Sequence, residues 1–154
     1  MMIKKYFLVM FFIIICGNFA YGSNSRFGIG IIIGAPTGIS AKYYINDKHA
    51  IDLGIGWSLS KNVVRLHSDY LFHDYKLIND AIDFPLIFYF GGGVKLLFSD
   101  SVTIGFRIPV GLLYNFQKQP IDIFLEVVPL LELIPDTKLG LDAALGARFY
   151  FGKE

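Results

Sequence analysis

Val102-Thr103-Ile104-Gly105-Phe106-Arg107-Ile108-Pro109-Val110-Gly111-Leu112-Leu113-Tyr114-Asn115 decides how this chain is read. Taking every second residue splits it into two unlike sets. Val102, Ile104, Phe106, Ile108, Val110, Leu112 and Tyr114 are bulky and apolar. Thr103, Gly105, Arg107, Pro109, Gly111, Leu113 and Asn115 are smaller, polar or charged. A period of two marks a β-strand with two different faces. After Gln117-Lys118-Gln119-Pro120 the pattern resumes, with Ile121, Ile123, Leu125 and Val127 against Asp122, Phe124 and Glu126. After Pro135-Asp136-Thr137-Lys138 it resumes again. Leu139, Leu141, Ala143, Leu145, Ala147, Phe149 and Phe151 then alternate with Gly140, Asp142, Ala144, Gly146, Arg148 and Tyr150.

Along the whole chain the same alternation predicts eight strands, over 27–34, 39–45, 50–59, 63–73, 84–98, 102–116, 121–133 and 139–151. Turn-forming residues punctuate them, as in Ala35-Pro36-Thr37-Gly38, Asn46-Asp47-Lys48 and Ser99-Asp100-Ser101. The connection over 74–83 is the longest. Several strands reach the roughly 9–11 residues that a tilted membrane strand needs.

The 154 residues suffice for a single domain. With a net charge of +1 and no basic run, nothing draws nucleic acid to the chain. Lys4 and Lys5 precede an apolar run, Tyr6 to Ile15, too short for a helical membrane span and suited to the core of a signal peptide. Ala20-Tyr21-Gly22 supplies small residues for cleavage. Residues 1–22 are therefore expected to be an export signal and 23–154 one mature domain. The only cysteine, Cys16, would leave with the signal, so no disulfide is expected. The rival reading acylates Cys16 as a lipoprotein N-terminus, although the small residue usual just before such a cysteine is missing. Beyond this segment no apolar stretch is long enough for a helical span.

Two architectures produce one apolar and one small or charged face. A soluble, lipocalin-like carrier puts the apolar face inside; a membrane barrel puts it outside. Volume discriminates between them. Eight strands enclose an interior only just filled by side chains, and Trp57, Phe88, Phe90, Phe106, Phe149 and Phe151 with many Ile and Leu are too bulky for it. The other face is rich in glycine and carries charges of both signs: Lys42, Arg65, Lys95, Arg107 and Arg148 against Asp52, Asp69, Asp122, Glu126, Glu132 and Asp142. Buried charges must be paired, and a nearly balanced set meets that requirement. The expected fold is all-β: an eight-stranded antiparallel transmembrane up-and-down barrel, apolar face outward, with a charged, glycine-rich lumen. Trp57, Tyr43, Tyr114 and Phe116 fall near strand ends, where an interfacial aromatic girdle would lie.

Gly146-Ala147-Arg148-Phe149-Tyr150-Phe151 ends the chain with a glycine and then aromatics at alternate positions. With Gly146, Phe149 and Phe151 it resembles the C-terminal signal read by the outer-membrane barrel assembly machinery. It departs from that signal at Ala144 and in the trailing Gly152-Lys153-Glu154.

Five segments carry a wider likeness: Gly34 to Tyr44, Ala50 to Trp57, Leu66 to His73, Arg107-Ile108-Pro109-Val110-Gly111, and Ile121 to Pro129. In this order they resemble a family of small, mostly uncharacterised bacterial outer-membrane proteins, with spirochaetal members described as similar to the OmpA transmembrane domain. The resemblance spans nearly the whole mature chain. It implies an eight-stranded barrel and brings no catalytic residues; fold likeness alone does not assign function.

His67-Ser68-Asp69 with His73 invites comparison with lipid-modifying outer-membrane enzymes. Parity places His67, Asp69 and His73 on the inner face and Ser68 on the other, so the nucleophile is out of reach of its base. His67, Asp69 and His73 also have the chemistry of zinc ligands. Along one strand, however, they are too far apart to share an ion without help from neighbouring strands. Neither a metal nor a cofactor is expected. Gly91-Gly92-Gly93 lacks the Lys-Ser/Thr ending of a phosphate loop. Asp122 and Glu126 are expected to answer Arg107 and Arg148. The sequence thus points to a non-enzymatic, monomeric surface protein of the outer membrane, with lipid and the assembly machinery as partners. A narrow solute channel and a lipid-modifying enzyme using His67 and Asp69 are the alternatives.

Overall fold

In a computed structural model, which describes residues 26–58 and 60–151, the chain is almost entirely antiparallel β-sheet. Residues 1–22, expected to be an export signal with Cys16 in it, and Gly152-Lys153-Glu154 lie outside the described residues. The strands are β1 (Phe27–Gly34), β2 (Gly38–Tyr44), β3 (His49–Ser58), β4 (Val63–Asp74), β5 (Leu86–Phe98), β6 (Val102–Arg107), β7 (Val110–Asn115), β8 (Ile121–Ile134) and β9 (Lys138–Phe151). Neighbours in sequence pair with each other except β6 and β7, each of which pairs with both β5 and β8, and β9 returns to β1. The pairings therefore run round in a ring and leave no unpaired strand edge among the described residues.

The strand expected over 102–116 is divided at Ile108-Pro109. Pro109 has no N–H to give to a ladder. The line of the strand is nevertheless kept. Arg107 lies opposite Leu130 and Val110 opposite Val127 on β8, and Arg107 and Val110 face Gly93 and Phe90 on β5. A step of three on one strand matches a step of three on each neighbour, so β6 and β7 fill one strand position in the ring. A bulge between Ile104 and Gly105 shifts the β6–β8 register by one residue.

The connection after β4 holds a short helix, α1 (Leu77–Ile82), which the alternation did not predict. Asp74 Oδ1 accepts from the backbone N–H groups of Lys76 and Leu77 at 2.9 Å each and starts the turn. Asp83 ends it in the left-handed region at φ 50°. At the β2–β3 turn, Asn46 Oδ1 likewise accepts from Lys48 and His49. At the opposite rim Gly34 has φ 130°, and a side chain there would also run into the backbone of Ala143 and Ala144.

Burial follows the two-residue period. Along β8, Asp122, Phe124, Glu126, Val128 and Leu130 are buried while Ile123, Leu125 and Val127 are exposed. Along β3, Ala50, Asp52, Gly54 and Gly56 are buried between exposed Ile51, Leu53, Ile55 and Trp57. The interior is not wholly polar. Ile32, Leu71, Ile87, Tyr89, Leu113, Phe124 and Ala144 form an apolar cluster inside the ring.

Candidate functional site

The inward faces of the strands bring most of the chain's strand-borne charges together. Arg148 on β9 is the hub. Its Nη2 lies 2.7 Å from Asp52 Oδ2, its Nη1 3.4 Å from Asp122 Oδ2, and its Nε donates to Ser40 Oγ at 2.9 Å. Its guanidinium carbon lies 3.8 Å above the centre of the Phe124 ring, close enough for a cation–π contact. Tyr150 donates its hydroxyl proton to Asp122 Oδ2 at 2.6 Å. One guanidinium thus ties β2, β3, β8 and β9 together, which suits its rigid fork of donors.

Arg107 forms the second node. Its Nη2 donates to Glu126 Oε1 at 3.3 Å, and Tyr89 donates to Glu126 Oε2 at 2.9 Å. Arg107 Nε lies 2.8 Å from Asp69 Oδ1, yet neither atom makes a hydrogen bond. The distance is that of an ion pair and the N–H is not aimed at the oxygen, so this contact is Coulombic rather than directional. His67 lies between the nodes, its Nε2 3.5 Å from Asp52 Oδ1 and 3.9 Å from Asp69 Oδ2.

Lys42 is handled differently. It is buried, and no carboxylate lies within ion-pair distance of it among the described residues. Its Nζ sits 2.7 Å from His73 Nε2 and faces the rings of Tyr44 and Tyr89 at 4.8 and 5.2 Å. His73 Nδ1 lies 3.1 Å from the Lys48 carbonyl. A carbonyl only accepts, so Nδ1 carries the proton and the Nε2 lone pair receives the ammonium. Lys95 lies nearer the rim, 3.3 Å from Glu132 and 3.8 Å from Asp142.

Ten of the eleven residues expected in a lumen network, Lys42, Asp52, His67, Asp69, Lys95, Arg107, Asp122, Glu126, Asp142 and Arg148, point inward and engage a partner. Arg65 does not join them: it has no ion pair among the described residues and lines a rim cavity of about 360 Å³ with Lys61, Pro36 and Gly56. Its position near the end of β4 carries it past the carboxylates. Sequence reasoning missed the parts played by Ser40, Tyr44, Tyr89, Phe124 and Tyr150. The available signal was an aromatic or hydroxyl residue on the glycine-rich face. His73 is separated from His67 and Asp69, and Asp52 takes its place beside them. Ser68 stands opposite Leu53 and Val94, on the outward side.

Glycines make room for these side chains. A Cβ at Gly54 would strike the His67 ring and one at Gly146 the Phe124 ring. Gly146→Val is expected to push Phe124 out from under Arg148 and cost about 1–3 kcal/mol, read as a lower urea midpoint of the folded protein. Gly140→Ala, whose new Cβ would meet only Leu130 at ordinary contact distance, is expected to leave the midpoint nearly unchanged.

A family model described as a protein of unknown function (DUF3996) matches residues 20–152. The chain belongs to this family. No curated protein and no solved structure matches it. The DUF3996 match spans every strand and every buried charge, so the network lies within the family's own domain. Near the chain end, Gly146 faces inward beneath Phe124, while Phe149 and Phe151 face outward and pack edge-on at 5.3 Å.

Proposed function

We propose that this protein is an integral outer-membrane β-barrel with a plugged, charge-paired lumen, acting as a structural or interaction protein at the cell surface and not as an enzyme. The observation that carries this reading is the inversion of burial. Ile31, Leu53, Phe106, Leu125 and Leu145 are each at least half exposed, while Arg107, Asp122, Glu126 and Arg148 are at most 2% exposed. A protein in water with this outer surface would present a continuous apolar face far larger than monomers tolerate. In a hydrocarbon environment the same face is in its proper solvent, and a ring with no free edge satisfies every ladder hydrogen bond.

Outward aromatics support a girdle at the rim where β1 starts and β9 ends: Phe27 stacks on Phe151, Phe72 packs on Phe90, and Tyr114 lies between Phe84 and Phe116. On this reading residues 1–22 export the chain, and the assembly machinery reads Gly146, Phe149 and Phe151. The likeness to OmpA-type barrels then extends to a monomer in lipid. Among the described residues the opposite rim carries only short connections, around 35–37, 60–62, 99–101 and 135–137, so the outward display is low and compact. The interior side chains oppose the channel reading, and the distance of Ser68 from the inner face opposes the enzyme reading.

The test compares the protein with and without detergent micelles by circular dichroism and by gel mobility before and after boiling. A β-rich state that forms only in detergent and changes mobility on boiling is expected. A β-rich monomer in plain buffer overturns the membrane reading.

A further inference from the structure

We propose that Asp52, His67 and Asp69 form a site for one divalent transition-metal ion of the zinc class inside the ring. The register of β3 and β4 sets Asp52 directly opposite Asp69 and Gly54 opposite His67. Two carboxylates facing each other across a ladder repel, and here both are buried. Each gives one oxygen to an arginine: Asp52 Oδ2 to Arg148, and Asp69 Oδ1 to Arg107. The remaining oxygens, Asp52 Oδ1 and Asp69 Oδ2, turn toward His67 Nε2.

The distances suit a metal better than a hydrogen bond. Asp52 Oδ1 lies 3.5 Å and Asp69 Oδ2 3.9 Å from Nε2, and the three residues each bring one ligand atom within 4.8 Å of the other two. Around a tetrahedral zinc with bonds of about 2.0–2.1 Å, neighbouring ligand atoms are roughly 3.3 Å apart. A small inward movement of these side chains closes the site. Asp52 Oδ1 is buried and makes no hydrogen bond, so one ligand oxygen is aimed into the gap with nothing else to satisfy it.

Charge and donor type point the same way. The buried charges are four cations, Lys42, Lys95, Arg107 and Arg148, and four carboxylates, Asp52, Asp69, Asp122 and Glu126; Lys95 is taken up by two further carboxylates, Glu132 and Asp142, which leaves three cations to answer the four. The excess is negative, and the facing pair Asp52 and Asp69 contributes two of those four. One imidazole nitrogen with two carboxylate oxygens suits zinc, whereas calcium takes six or more oxygens. Arg107 and Arg148 then act as outer partners that orient the ligand carboxylates. The absence of a side chain on Gly54 leaves the imidazole its place. Along a single strand His67 and Asp69 lack a third ligand; the neighbouring strand supplies it as Asp52.

This inference does not rest on the membrane reading, because the same measurement runs in detergent or in buffer, wherever the chain folds. The folded full chain is stripped with a chelating resin, titrated with Zn²⁺ alone and, after gel filtration, its metal is measured by mass spectrometry. Wild type is expected to hold about one Zn²⁺ per chain. His67→Gln and Asp52→Asn are expected to weaken binding by more than the roughly 10- to 100-fold typical of losing an outer partner. His49→Ala, which alters an imidazole outside the interior, is expected to keep it. Should His67→Gln fail to fold, Co²⁺ added to wild type reports on the site directly, through visible absorption bands of a four-coordinate ion. Folded wild type that holds no Zn²⁺ and gives no such bands overturns the proposal. Loss of the ion in His49→Ala alone overturns it in favour of surface binding.

Discussion

Replacing Arg148 by methionine is expected to lower the unfolding free energy by about 3–5 kcal/mol, measured by urea titration of the folded protein. Methionine keeps much of the length of arginine and its contact with Phe124. It removes the charge that Asp52 and Asp122 share and the donor to Ser40. Both carboxylates are at most 3% exposed, so water does not replace what is lost. The cost comes from stranding two buried anions rather than from the favourable energy of the pair itself. Adding Asp52→Asn and Asp122→Asn to the same chain is therefore expected to recover a large part of it, because neutral amides are cheaper to bury. Arg148→Lys should fall between, since one ammonium cannot reach three acceptors spread over three strands. A methionine variant as stable as wild type would show that Arg148 does not hold these strands together.

Leu125→Arg tests the outer face. Leu125 is 53% exposed and lies mid-strand on β8. At such a position in a water-soluble protein, an added charge typically changes stability by less than about 0.5 kcal/mol. If the face meets lipid, the arginine must enter hydrocarbon, and the expected loss is about 2–4 kcal/mol near the midplane. The measurement is the unfolding free energy in lipid vesicles, with Leu133→Arg near the strand end as a control for depth. Leu133→Arg is expected to cost less, about 0–1 kcal/mol, because its guanidinium reaches the headgroups. Equal and negligible effects at both positions would mean that this face is not in a bilayer.

Much of the molecule was legible because a strand's facing is local information. The alternation at Ile121 to Val127 assigned each side chain a side with no knowledge of its neighbours, and the buried set matches it residue by residue. The short β1 was legible in full because glycine alternates with isoleucine along it up to Ile31. The helix Leu77–Ile82 was not. Six residues are too few to show a helical period, and the helix buries none of its side chains. The break at Pro109 is hidden because the alternation runs straight through it: a proline removes a hydrogen bond without disturbing which way its neighbours point.

Where the strands run, apart from the break at Ile108-Pro109, which face each side chain takes, and that the charges share one side are legible along the chain. All of these follow from the two-residue repeat and from side-chain volume. The folded sheet sets which side chains meet. Arg148 reaches Asp52 across 96 residues and Ser40 across 108, contacts fixed by β9 closing on β1 and by the registers of β1, β2 and β3. It also gave Lys42 an imidazole instead of a carboxylate, left Arg65 at the rim, and set Asp52 beside His67 and Asp69. Partner choice depends on ring closure and strand stagger, which are properties of the whole sheet and are not encoded in any one strand's alternation.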